Sequence, residues 1–260
     1  MTHSIRLLFI LPIFALKLLA DPILSSWFTE HSGQYARIYE TSADESALNP
    51  VTTWSHPNNG SGQALPTYAG VHEIAYTDTN VYIRTSGLGF HVMGPWYLDE
   101  ERTNLFPNYP SNTSTIFRFP RVPGTPPISK TATGNGTIGY FVDGIGMFDS
   151  RDAFSYSNAN EGDARPNSDF TGDGIWNRDA YINESVTFDS AHAHQAGINH
   201  HYHANPPALR HLIGDSVDYD ASTNTYTENF NGQHSPIVGW VRDGYPCLLY
   251  TSPSPRDHQP

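Results

Sequence analysis

The run Asp189-Ser190-Ala191-His192-Ala193-His194-Gln195-Ala196-Gly197-Ile198-Asn199-His200-His201-Tyr202-His203-Ala204-Asn205-Pro206 carries two His-x-His pairs separated by a short break. On an extended strand, residues i and i+2 point to the same face, about 6.5–7 Å apart. His192 and His194 therefore share one face of a first strand, and His201 and His203 one face of a second. Residues 195–200 include Gly197 and are long enough for a hairpin-like return. With His194 facing His201, all four rings line one side. Spacing leaves the register of the two strands open, and a slip by one residue would turn one pair away.

Strand patterns continue on both sides of this run. Residues 68–76 and 80–85 flank the turn Thr77-Asp78-Thr79 and read as a hairpin. Residues 115–120 form another short strand, closed by a loop over 121–127. Residues 139–148 read as an apolar strand with Asp143-Gly144 inside it, hence a bulge or a tight hairpin. A strand over 36–39 is expected in the N-terminal segment, which ends in the turn cluster Pro57-Asn58-Asn59-Gly60. Residues 155–175 are rich in Ser, Asn, Asp and Gly and read as a long loop, and residues 181–188 as a strand. Residues 206–213 are the best short helix: Pro206 and Pro207 suit a first turn, Leu209, Leu212 and Ile213 share a face, and Gly214 suits the end. Residues 237–241 make a last strand. Charged residues are only 15% while aromatics reach 13%, with 21 Gly and 20 Pro, so turns and aromatic-packed strands are favoured over long charged helices. The expectation is one mainly β domain, β-sandwich-like or irregular, with long loops and one or two short helices.

The ends read differently from the middle. Residues 1–20 have the pattern of a secretory signal: Arg6, then an apolar run over 7–19 broken by Pro12 and Lys17, then Ala20 before Asp21. The run is short for a membrane span, so a secreted or periplasmic protein is expected. Residues 21–64 form an N-terminal segment and residues 65–246 the main domain. Residues 247–260 read as a sequencing-adapter scar, with the natural chain expected to continue past Pro246. Cys247 is the single cysteine. Residues 21–246 therefore offer no thiolate zinc site, iron–sulfur cluster or cysteine nucleophile. The formal net charge of −12 argues against nucleic acid and anionic lipid as partners and suits attraction of cations.

Imidazole-only sites suit zinc, copper, iron or nickel rather than calcium or magnesium. The expected ligands are His192, His194, His201 and His203, and the expected ion is zinc or copper. Ligation needs neutral rings, so binding should weaken below about pH 6. Asp189, Asp143, Asp215 and tyrosine hydroxyls are candidates to orient the rings from behind. Should the site be catalytic, Asp143 and His234 are the candidate bases. His31, His56, His72, His91 and His211 read as hydrogen-bonded structural residues, and His200, pointing opposite to His201, as a packing residue. His-Ala-His-Gln-Ala-Gly at 192–197 lacks the acidic and second histidine positions of metallo-β-lactamase-like sites. Asp21, not histidine, follows the expected cleavage point, which argues against an N-terminal copper brace. Asp169, Thr171 and Asp173 resemble the first half of a calcium loop, but Ala180 stands where a bidentate Glu is needed. Asn59, Asn112, Asn135 and Asn183 begin glycosylation sequons. Trp96, Tyr97, Trp176 and Trp240 offer either a sugar-stacking surface or core packing.

Taken together, Tyr140-Phe141-Val142-Asp143-Gly144, Trp176-Asn177-Arg178-Asp179-Ala180-Tyr181, the His-Ala-His-Gln-Ala-Gly run, His201-Tyr202-His203-Ala204-Asn205-Pro206 and His234-Ser235-Pro236-Ile237-Val238-Gly239-Trp240 resemble the YHYH domain family. The stretch over 65–96 resembles its front part, so the likeness covers most of residues 65–246. The naming motif departs once: His200 stands where the first Tyr belongs. The resemblance implies an exported context and no particular reaction. Three functions stay open from sequence: a metal-binding protein, a metal-dependent hydrolase or oxidase, and a structural or carbohydrate-binding module without metal. A small molecule or glycan is a further possible partner.

Overall fold

The computed structural model describes residues 21–249 except 130, 132, 166, 167, 204, 230 and 231. The expected signal at 1–20 and residues 250–260 of the expected tail lie outside the described residues.

The first hairpin forms where alternation predicts it. Val71–Tyr76 pairs antiparallel with Asn80–Thr85, which pairs in turn with Thr115–Pro120. In the middle strand Val81, Ile83 and Thr85 are buried while Asn80, Tyr82 and Arg84 are partly exposed, the period-two pattern of a half-buried sheet. Thr77 stabilises the turn by accepting the Asn80 N–H at 3.0 Å through Oγ1.

A second sheet of six strands holds the histidines. Its spatial order is Ala193–Ala196, Asn199–Tyr202, Gly146–Phe148, Thr137–Phe141, Gly239–Val241 and Pro246–Cys247. All neighbours are antiparallel except Asn199–Tyr202 beside Gly146–Phe148, which is parallel. The stretch read as one strand over 139–148 is thus two strands joined by a turn at Asp143-Gly144. That turn docks on the first hairpin: Thr85 Oγ1 donates to the Gly144 carbonyl at 2.8 Å. Gly144 has φ +83, and a Cβ there would strike the same Thr85 oxygen, so glycine is required on both counts. The last strand takes in Cys247, and Leu249 packs against the core.

A parallel pair needs a long connection. Between Gly146–Phe148 and Asn199–Tyr202 the chain builds a small sheet of Arg151–Ser157, Gly162–Asp163 and Asn177–Asp179, then a helix at Ala180–Glu184 and a 3-10 turn at Ser185–Thr187. Two expectations are corrected here. The loop over 155–175 contains strand, and the strand over 181–188 is helical. Asp179 caps the helix by accepting the Ile182 N–H at 3.0 Å, while Tyr181 and Ile182, which suggested a strand, face solvent. The helix at Pro207–Leu212 falls where expected. Four short α-helices occur among the described residues, rather than one or two. Among the described residues the fold is mainly β, in several small sheets with no barrel, which is the irregular form of the expectation.

Apolar burial fills two adjoining centres. One gathers Val81, Ile83, Phe119, Phe141, Ile145 and Trp240 between the two main sheets. The other gathers Ile38, Trp54, Met93, Trp96 and Tyr109. Trp96 is fully buried and its Nε1 donates to the Ala193 carbonyl at 2.9 Å, which ties the N-terminal half to the histidine hairpin. Trp96, Tyr97 and Trp240 are all buried, so they pack the core, and the sugar-stacking surface is not formed. Trp176 alone of that group is exposed.

Candidate metal centre

The register left open by spacing takes the productive value. His194 stands opposite His201, Ala193 opposite Tyr202 and Gln195 opposite His200. Gly197, at φ +61, closes the turn between Ala196 and Asn199. Directly opposed residues share a face, so His194, His201 and His203 lie on one side and Gln195, His200 and Tyr202 on the other.

Three of the four expected ligands meet. Nε2 of His203 is 2.9 Å from Nε2 of His201 and 3.0 Å from Nε2 of His194. Bonds of about 2.0–2.1 Å to a tetrahedral ion place donor atoms roughly 3.3 Å apart, so a small outward movement fits the three rings around one cation. His192 does not join them. The ladder runs one bond further, His203 N–H to the His192 carbonyl at 2.9 Å, but His192 itself has φ +60. A left-handed residue at a strand end swings its side chain off the sheet face. The ring lies against the Asn205 carbonyl at 3.1 Å and edge-on to Tyr181.

Hydrogen bonds behind the rings fix where the lone pairs point. A carbonyl only accepts, so His201 Nδ1, 3.1 Å from the Asn199 carbonyl, carries the proton, and its Nε2 carries a lone pair. His194 Nδ1 lies 2.6 Å from Thr187 Oγ1, whose own proton goes to the Glu184 carbonyl at 2.6 Å. The hydroxyl therefore accepts from His194 Nδ1–H, and His194 Nε2 is also a lone pair. Both lone pairs point at His203 Nε2, which donates to them when it carries the His203 proton and adds a third lone pair to the same point when Nδ1 carries it. None of the acceptors expected from sequence does this orienting. Asp215 pairs with Arg210, Asp143 accepts from Tyr202, and Asp189 holds the backbone N–H groups of Ala191 and Ala193.

Burial keeps the rings neutral. It pushes His194 down to about 4 and His203 to about 3, and His201 well below the usual imidazole value, with the neighbouring histidines adding to the effect on His201 and His203. Phe148 stacks on His201 at 3.8 Å between centroids and Phe188 on His203 at 4.8 Å, so the site has apolar walls on two sides.

The carboxylate at the triad is Glu184, which sequence reading missed. Its Oε2 lies 3.3 Å from His194 Nε2 and 3.4 Å from His203 Nε2. Burial, then the hydrogen bond and charge of Asp152, raise Glu184 to about 8. Asp152 stays low against its own burial because Glu184 and Arg178 both donate to it. The signal available in sequence was Asp179 as a helix cap, which would have put Glu184 at a helix end facing the hairpin. Asp143 instead lies fully buried under Tyr202, on the other face of the hairpin, and burial raises its carboxyl. His234 places Nδ1 against the Ser235 carbonyl. A cleft of about 890 Å3 reaches His203 and is lined also by Phe148, Asp149, Asp179, Tyr181 and Asn205.

The remaining histidines read as structural behave so at three positions. His56, His72 and His211 each set a ring nitrogen 2.8 Å from a backbone carbonyl. At the segment that resembles half of a calcium loop, Asp173 is engaged by the Asn158 and Ile175 backbone N–H groups, as in an Asp/Gly turn.

A family model described as YHYH protein matches residues 116–259. The chain belongs to the YHYH family. Its motif falls on His200-His201-Tyr202-His203, so two of the three converging rings are motif histidines and the third, His194, faces them across the hairpin. The matched region begins after the 65–96 stretch and runs on through residues 247–259. No curated protein and no solved structure matches the chain.

Proposed function

We propose that this YHYH protein binds a divalent transition metal through Nε2 of His194, His201 and His203. The observation that carries the reading is the orientation of two of those rings by Thr187 and Asn199, which aims their lone pairs at a common point beside the third ring. All-nitrogen donors with apolar walls suit zinc or copper over calcium or magnesium. Glu184 stands at hydrogen-bonding range and is positioned to close the set as an oxygen donor. The test is elemental analysis of the purified protein beside a His201→Ala, His203→Ala variant. The variant is expected to lose the metal; equal content in both overturns the reading.

A metal-dependent hydrolase or oxidase is the second reading, favoured by the cleft that reaches His203. A cation held by three rings supplies Lewis acidity at an open coordination position. Glu184, with Oε2 3.3 Å from His194 Nε2 and 3.4 Å from His203 Nε2, is the group placed to move a proton at that position. Glu184, rather than Asp143 or His234, is the residue we assign to that role. Glu184→Gln should still take up the metal on the three rings, though more weakly, and abolish turnover on any substrate found for the wild type even at saturating metal; full turnover would remove the assignment.

A further inference from the structure

The opposite face of the hairpin carries a second convergence of ligand atoms. His91, Asp189 and His200 each offer one atom, all within 4.8 Å of one another. The His91 and Asp189 side chains are 4% and 0% exposed, and His200 is 2% exposed.

The hydrogen bonding around this group is incomplete in a specific way. Tyr202 donates its hydroxyl proton to Asp143 Oδ2 at 2.8 Å, and His91 Nδ1 lies 3.3 Å from the same hydroxyl oxygen. That oxygen can then only accept, so His91 Nδ1 carries the proton. In neutral His91 the lone pair sits on Nε2, which faces Asp189 Oδ2 at 3.6 Å. A lone pair and a carboxylate oxygen repel. Beside them, neither ring nitrogen of His200 has a hydrogen-bond partner among the described residues. Buried imidazoles are ordinarily hydrogen-bonded. Asp189 is anchored by the Gly94 N–H at 2.9 Å on Oδ2 and by Ala191 on Oδ1, so it cannot turn away.

The geometry points to a second metal site, formed by His91 Nε2, Asp189 Oδ2 and one ring nitrogen of His200, for a divalent first-row cation such as zinc. A shift of about 1 Å per ring brings the atoms to the roughly 3.3 Å spacing of a tetrahedral set. His91 has the oriented form that ligands require, its Nδ1–H held by Tyr202 and Tyr202 held by Asp143. His200 occupies the position of the first Tyr in the family motif. It shares no ligand with the His194, His201 and His203 site and does not rest on that reading.

The test is zinc loading of the full chain, with chelator-stripped protein dialysed against zinc chloride. Wild type should retain about two ions per chain. His200→Tyr, which restores the family motif, should retain about half as much, and His203→Ala should lose the other ion while keeping this one. Full loading of His200→Tyr overturns the inference. So does a wild type with a single ion that His203→Ala removes, an outcome that leaves the first site standing. Should either variant fail to fold, imidazole 15N shifts of the wild type decide: zinc should move one ring nitrogen each of His91 and His200 to the metal-bound position. Unchanged shifts, with His91 doubly protonated against Asp189, would make the group an ordinary ion pair and end the proposal.

Discussion

Thr187 accepts a proton from His194 Nδ1 at 2.6 Å while giving its own to the Glu184 carbonyl at 2.6 Å. One hydroxyl thereby fixes both the tautomer of a candidate ligand and the end of the helix that supplies the nearby carboxylate. Thr187→Val keeps the shape and removes the acceptor. Zinc affinity should fall about 10–100-fold with little change in fold, as for other orienting groups behind metal ligands. Titration calorimetry on stripped protein measures this, and unchanged affinity would show that the Nε2 lone pair needs no help from Thr187.

Glu184 and Asp152 share a proton in the metal-free protein, since Glu184 is raised to about 8 and Asp152 is held low. A glutamine amide can donate to Asp152 as the protonated acid does. Glu184→Gln should therefore melt within a few degrees of wild type at pH 7 without metal, yet bind zinc more weakly. A large loss of melting temperature in the stripped variant would mean that Glu184 is ionised there.

His192 lies off the shared face because its backbone is left-handed at φ +60. Asparagine tolerates that conformation. His192→Asn should keep the full metal content, whereas His194→Asn should lose it. Elemental analysis of both variants separates a three-histidine from a four-histidine site.

Acid should act through the buried rings. His194 and His203 have folded-state values of about 4 and about 3, below the roughly 6.5 of an unfolded imidazole. The unfolded chain therefore binds more protons as pH falls, and the stability present above about 6.5 is lost progressively toward 4 and 3. The urea midpoint of stripped protein should fall steadily between pH 6.5 and 4. A His194→Gln, His203→Gln variant should show a shallower slope over that window, and equal slopes would refute the assignment.

The amino-acid order settled most of what is local. Alternation placed Val81, Ile83 and Thr85 inward and drew the first hairpin, Pro206 and Pro207 began the helix at Pro207–Leu212, and doubled His-x-His spacing marked the two site strands. These features depend on contacts within a few residues, which sequence records directly. The membership of the site depends on contacts that it does not record. Whether His194 met His201 rested on a register that two-residue periodicity leaves free. Whether His192 belonged rested on one backbone angle, and Glu184 joined because a helix capped by Asp179 folds over the hairpin from a crossover dozens of residues long. His91 and Asp189 meet across nearly a hundred positions, through packing of the N-terminal half on the hairpin. Side-chain direction and long-range closure arise from the assembled core, so only folding could choose among ligand sets that the sequence allowed equally.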